Sequence, residues 1–178
     1  HDAYSCDYCP LSSSMFPTHS SIAHRHLVQD VTPLLLSSSR KWDLIISHPP
    51  CTYLCNSGVR WLAGNYPRIR ALKEAAKFFE LCLNANCPRV CVENPIQHKY
   101  ARAMIGVRYS QIIQPWQFGH GEIKATCLWL KNLPLLKPTK IVEGRYAKVH
   151  RMAPSPERTA LRSVTLTGIA EAIAEQWG

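Results

Sequence analysis

The stretch Trp42-Asp43-Leu44-Ile45-Ile46-Ser47-His48-Pro49-Pro50-Cys51-Thr52-Tyr53-Leu54 holds a short apolar run that stops at a polar residue, two prolines and a cysteine. It reads as a buried strand over Trp42 to Ser47 that ends where the chain must leave the sheet, because Pro50 can neither donate to a ladder nor continue a helix. Cys51 therefore falls at a strand's carboxyl end. In open α/β sheets that edge is where ligands bind, and a stiff Pro-Pro-Cys there suits a nucleophile better than a core thiol.

Working outward, residues 68 to 84 carry apolar side chains at Ile69, Leu72, Ala76, Phe79 and Leu83, spaced by three and four, which predicts a helix. Arg89-Val90-Cys91-Val92-Glu93 follows as a strand closed by Asn94-Pro95. Strand, helix, strand is the rhythm of a parallel sheet. Upstream, short strands are expected to end at Asp7 and near Asp30, separated by a Ser-, Pro- and His-rich loop over residues 10 to 26, with a short helix over Pro33 to Ser39. Downstream, strands are expected over Gln111 to Pro115 and Thr126 to Leu130, with a closing helix over Gly168 to Trp177. The fold class this predicts is α/β, a mostly parallel sheet flanked by helices, in a single domain over residues 1 to 178. Residues 131 to 158 form a basic, proline-rich arm within it.

The whole composition fits that reading. The chain has 178 residues, 46% apolar and 19% charged, enough for a core and too apolar for a disordered chain. A net charge of +9 points to an anionic partner, nucleic acid being the commonest. The eight cysteines are scattered through apolar runs and read as reduced thiols of a cytoplasmic protein rather than a disulfide framework. No apolar run approaches the roughly 18 residues of a membrane span, and no signal peptide is visible. Cys6-Asp7-Tyr8-Cys9 with His24 and His26 invites a zinc reading, but a single residue separates the two histidines, closer than the spacing of structural zinc pairs, and no metal is expected.

Cys51, Glu93 and Asn94 all fall at predicted strand ends one βαβ unit apart, so a thiol and a carboxylate could share one cleft. Such a pair suits thiolate addition to an electron-poor heteroaromatic ring, the acid absorbing charge at a ring nitrogen. The residues alone leave a second reading open, with Cys51 a small buried hydrophobe and Glu93 capping a turn.

His48-Pro49-Pro50-Cys51 followed 42 positions later by Glu93-Asn94-Pro95 resembles the paired Pro-Cys and Glu-Asn motifs of the C5-cytosine DNA methyltransferases. The resemblance implies a Rossmann-like, S-adenosylmethionine-dependent methyltransferase fold and methyl transfer to C5 of a flipped cytosine. It makes Cys51 the nucleophile toward C6, Glu93 the contact to the N3 edge, and Asn94 the residue that orders their loop. Asp7 and Asp30 correspond to the cofactor acids, with Pro49 beside the cofactor, and Lys124 stands near the family's Gln-x-Arg-x-Arg segment as a substitute for one arginine. Arg162 to Thr165, leading into Gly168-Ile169-Ala170, is similar to the C-terminal segment that folds beside the cofactor. No Phe-x-Gly-x-Gly loop precedes Asp7, so the first strand and glycine loop are expected to be missing from this chain. The stretch from Lys131 to Arg158 is too short for the family's recognition region, as in a short phage-type member. Target choice is therefore expected to be loose or supplied by a protein partner. Arg60, Lys131, Lys140, Arg145, Lys148 and Arg151 are the candidate DNA phosphate contacts. A catalytically inactive nucleic-acid-binding relative, and an enzyme acting on free cytosine nucleotides, are the alternatives.

Overall fold

In the computed structural model, which describes residues 2–8, 25–156, 158–163 and 165–178, the chain separates into two compact units, residues 1–41 and 42–178. The first unit holds strands β1 (Ser5–Asp7) and β2 (His26–Val28), paired in parallel, and helix α1 (Thr32–Leu36). The expected loop over residues 10 to 26 falls, but for its last two residues, outside the described part of the chain, as do Cys9 and His24 of the zinc reading. Among the described residues no group of three His, Cys, Asp or Glu side chains is arranged to hold a metal ion.

The second unit is built on a four-stranded sheet of order β3-β4-β6-β5, with β3 (Ile45–Ser47), β4 (Val90–Pro95), β5 (Gln111–Ile113) and β6 (Thr126–Lys131). β3 and β4 pair in parallel, whereas β6 pairs antiparallel with both β4 and β5. The expected mostly parallel sheet is thus mixed: β3, β4 and β5 run one way and β6 lies reversed between β4 and β5. The connection from β5 to β6 explains it. Residues 114 to 125 contain only a 3₁₀ turn at Pro115–Gln117, and without a crossover helix a neighbouring strand returns antiparallel.

Helix α2 (Tyr66–Leu83) begins where Asn65 Oδ1 accepts from the Arg68 backbone N–H at 3.0 Å, with Pro67 in the first turn. Its buried residues Leu72, Ala76, Phe79 and Cys82 form one stripe. Phe79, fully buried, meets Trp129 of β6 edge-on at 4.8 Å between ring centroids. Helix α3 (Lys99–Ile105) was not legible as an element. His98 caps it by accepting from the Ala101 N–H at 3.1 Å, and Gly106 ends it in the left-handed region (φ 70°), where glycine carries no Cβ penalty. The opposite face of the sheet, with Cys91, Ile113 and Leu128, packs on Ile169, Ala172 and Trp177 of the C-terminal helix α6 (Thr167–Trp177) together with Phe118 and Leu136. Trp177 closes this core with its indole N–H donating to the Pro134 carbonyl at 3.1 Å. Two short helices, α4 (Lys148–Arg151) and α5 (Arg158–Ser163), lie between β6 and α6. No helix among the described residues is long and apolar enough to cross a membrane.

Candidate active site

Because β3 and β4 are parallel and in register at Ser47 and Val92, the residues that follow both strands leave the sheet at one edge. β6 runs the other way and starts opposite Pro95, so Lys124 arrives at the same edge. Three of the residues expected at the site are held there by identifiable contacts. Asn94 is buried, and its Nδ2 donates to the Pro49 carbonyl at 2.8 Å, tying the end of β4 to the Pro-Pro turn. Glu93, on the opposite face of β4, accepts from His48 Nδ1 at 2.9 Å. His48 was part of the sequence motif but carried no assigned role; only the register reveals that it faces Glu93.

Cys51 opens a tight turn in which the Leu54 and Cys55 N–H groups both donate to its carbonyl at 3.0 Å. That turn sets Cys51 and Cys55 side by side, so that each perturbs the other's thiol. The two thiols are shifted in opposite directions. The Cys51 thiol is raised, first by its hydrogen bond to Cys55, then by burial, by the charge of Cys55 and, less, by Glu93. The Cys55 thiol is lowered, first by the hydrogen bond from Cys51 and further by Ser57, whose hydroxyl lies 3.0 Å from its sulfur. Other thiols are different in kind: burial pushes Cys82 up to about 11 and Cys127 up to about 11, and burial followed by the Glu93 charge pushes Cys91 up to about 12. They are core groups.

His98, which sequence reasoning missed, supports the turn from below. Its Nδ1 accepts from Ala101, so Nε2 carries the proton and donates to the Tyr53 carbonyl at 2.9 Å, while its backbone N–H donates to Leu54. No local pattern marks a histidine as both helix cap and loop strut.

Beside Glu93 lies a cavity of about 30 Å³ lined by Ile46, His48, Lys124, Thr126, Leu166 and Ile169, among others. That is the space of a water rather than of a nucleobase. Lys124 enters it, its Nζ donating to the Arg162 carbonyl at 3.0 Å, so the segment before α6 is tied to the loop before β6.

The residues expected to contact phosphate are dispersed. Arg60 lies over the exposed Trp61 ring at 4.6 Å in the 3₁₀ turn Asn56–Trp61, beyond the cysteine turn. Arg145 lies over Trp116 at 4.0 Å, and Lys148 pairs with Glu122 at 3.4 Å. Lys131 ends β6 exposed, Arg151 ends α4 exposed, and Lys140 is exposed but fixed through its backbone, which bonds to Gln117 and Gly119. The stretch 131–158 is thereby strapped to the β5–β6 connection at Lys140 and again at Tyr146, which bonds to Gly121 and Ile123.

In the first unit, Asp7 and Asp30 are exposed and follow one another across adjacent parallel strands, an arrangement that fits carboxylates offered to ligand hydroxyls. Asp30 Oδ1 accepts from the Thr32 N–H at 2.9 Å, the largest reason its carboxyl lies below the ordinary value.

Compared with known proteins, the chain matches no protein-family model, and no curated protein is similar to it in sequence. Among solved structures it resembles, with 17% identity and a TM-score of 0.40, an E. coli protein described as a DNA modification methyltransferase encoded within a prophage. The alignment covers 73% of this chain and 42% of that one, so this chain spans less than half the length of the structure it resembles.

Proposed function

We propose that the protein is a cytosine-C5 methyltransferase of nucleic acid working through a covalent Cys51 adduct. The observation that carries this reading is the convergence at one sheet edge of the Cys51 turn, Glu93 and Asn94, with Asn94 bound to the Pro49 carbonyl at 2.8 Å. A thiol nucleophile and a carboxyl group then share an edge that their sequence separation alone does not guarantee.

Cys55, whose thiol is lowered and which lies in the same turn, takes the Cys51 proton. The Cys51 sulfur bonds to C6 of the cytosine, the C5–C6 π electrons move toward C5, and Glu93 holds the N3 edge, offsetting charge in the ring. After C5 is methylated it loses its proton to a solvent base, the sulfur–C6 bond breaks, and Cys51 leaves as thiolate. S-adenosylmethionine, the donor that the resemblance implies, supplies an electrophilic methyl group when bound. In the first unit, Asp7 and Asp30 would offer carboxylates to its hydroxyls; in the second, Lys124 supports the segment ahead of α6. Arg60, Lys131, Lys140, Arg145, Lys148 and Arg151 would contact DNA phosphates.

Two observations favour a second reading, a nucleic-acid-binding relative without catalysis: the Cys51 thiol is raised, and the cavity beside Glu93 holds only a water-sized group. The two readings separate on a trapping experiment. DNA containing 5-fluorocytosine, incubated with protein and S-adenosylmethionine, is expected to give a covalent complex with wild type and none with Cys51→Ser, since fluorine cannot leave as a proton. DNA retained without a covalent product from wild type would establish the silent relative. Glu93→Gln is expected to lose about 2 to 4 kcal/mol of transition-state stabilisation, read as kcat on cytosine-containing DNA.

A further inference from the structure

A groove of about 550 Å³ opens beside α3, lined by Gln97, Lys99, Arg102, Gly106, Arg108 and Tyr109 among others. It lies on the α2/α3 side of the sheet, away from the Glu93 cavity. Its lining contains three cations and no carboxylate, and neither Lys99, Arg102 nor Arg108 forms an ion pair among the described residues. Tyr109 supplies an aromatic wall, held edge-on against Trp129 at 5.9 Å, and Trp129 is itself fixed by its indole N–H, which donates to the Val107 carbonyl at 3.0 Å. Gly106, at φ 70°, leaves open space where a side chain would stand.

The second observation is Gln97. The residue is 3% exposed, yet neither its amide nitrogen nor its amide oxygen has a hydrogen-bond partner among the described residues. Buried amides are normally satisfied, and an unmet donor and acceptor on a residue lining the groove call for a partner that offers both. The edge of a nucleobase offers them: glutamine pairs in this bidentate way with the N6/N7 edge of adenine. Arginine and lysine on the rim match a phosphate, and the volume lies in the range of small-molecule sites.

From this groove we infer that the protein carries a nucleoside-phosphate site distinct from the Glu93 cavity, its lining residue Gln97 bridged through the backbone to Cys55, with Lys99, Arg102 and Arg108 holding the phosphate and Gln97 reading the base edge. The nucleoside phosphate comes either free or as one residue of a single strand; the recognition chemistry is the same. Nothing in this site requires Cys51 to react.

Calorimetric titration of the full chain with AMP, CMP, ribose 5-phosphate and inorganic phosphate, and with a short single-stranded oligonucleotide, tests it. The expected result is nucleotide binding tighter than ribose 5-phosphate. Joint Arg102→Glu and Arg108→Glu substitution, at exposed positions, should weaken it by at least about tenfold, and Gln97→Leu should abolish the preference for nucleotide over sugar phosphate. If only the oligonucleotide binds, with the same dependence on these variants, the strand is the source; if mononucleotides bind, the free nucleotide is. Affinity unchanged by both variants, or binding of neither ligand, overturns the proposal. Cys51→Ser must leave this binding intact, so failure here and failure of the methyltransferase reading are distinguishable.

Discussion

Replacing Asn94 with alanine tests whether the Pro-Pro-Cys turn is held by the end of β4. Asn94 is 1% exposed and Pro49 is buried, so the 2.8 Å hydrogen bond between them is shielded from water. Removing the amide leaves the Pro49 carbonyl without a donor, a loss of about 1 to 3 kcal/mol for a buried acceptor. Truncation also opens a small void, which adds to the cost. Against this, Asn94 Oδ1 already lacks a partner, and deleting it returns part of that penalty. The net expectation is about 2 kcal/mol of destabilisation, or a fall in Tm of roughly 4 to 8 °C for a chain of this size. All five tryptophans lie beyond residue 41, so fluorescence-detected urea unfolding reports on the second unit alone. Asn94→Leu, which keeps the branched shape and removes both polar atoms, should fall between wild type and alanine. Asn94→Asp, a buried carboxylate facing a carbonyl, should be the worst of the three. A stability for Asn94→Ala within about 0.5 kcal/mol of wild type, the scatter of neutral surface changes, would refute the pinning argument.

Two further outcomes follow from the same region and its support. Cys55, lowered by its hydrogen bonds from Cys51 and Ser57, should be alkylated by iodoacetamide before Cys51, its rate rising at a pH below the ordinary thiol range, while Cys51 should need more alkaline solution; peptide mass mapping that finds Cys51 modified first would contradict this. Gly168→Ala should destabilise the second unit, because a Cβ there would collide with the Phe118 backbone oxygen and force apart the start of α6 and the β5–β6 connection. Unfolding indistinguishable from wild type would show that this contact relaxes freely.

What the sequence made legible was whatever depended on local pattern. The three-and-four spacing of Leu72, Ala76 and Phe79 fixed α2, and Pro50 marked the end of β3, because each signal acts within one turn or one strand. What stayed hidden depended on which strand lies beside which. The reversal of β6 is decided by a helix-free connection, and the His48–Glu93 contact by the register of two strands. α3 was hidden for another reason: seven residues give too few turns for a period, and its cap is a histidine rather than a serine or aspartate.

The cysteine pair shows how far local reading carries chemistry. Sequence alone made Cys51 the reactive thiol and gave Cys55 nothing to do, yet in the i to i+4 turn the Cys55 thiol is lowered and the Cys51 thiol raised, which makes Cys55 the better thiolate. A thiolate in that position has two opposite consequences for the nucleophile. It keeps the proton on Cys51 at rest, and it is the nearest base to remove that proton when Cys51 attacks. Cys55→Ser separates them, because serine preserves a hydrogen-bonding group but carries no charge near neutral pH. With the Cys55 charge gone, the resting Cys51 thiol should be alkylated faster at a given pH. If Cys55 is the proton acceptor, methyl transfer should nevertheless slow and shift to more alkaline pH, since hydroxide must then do its work. Faster alkylation together with faster methylation would make Cys55 a restraint on Cys51 rather than its base.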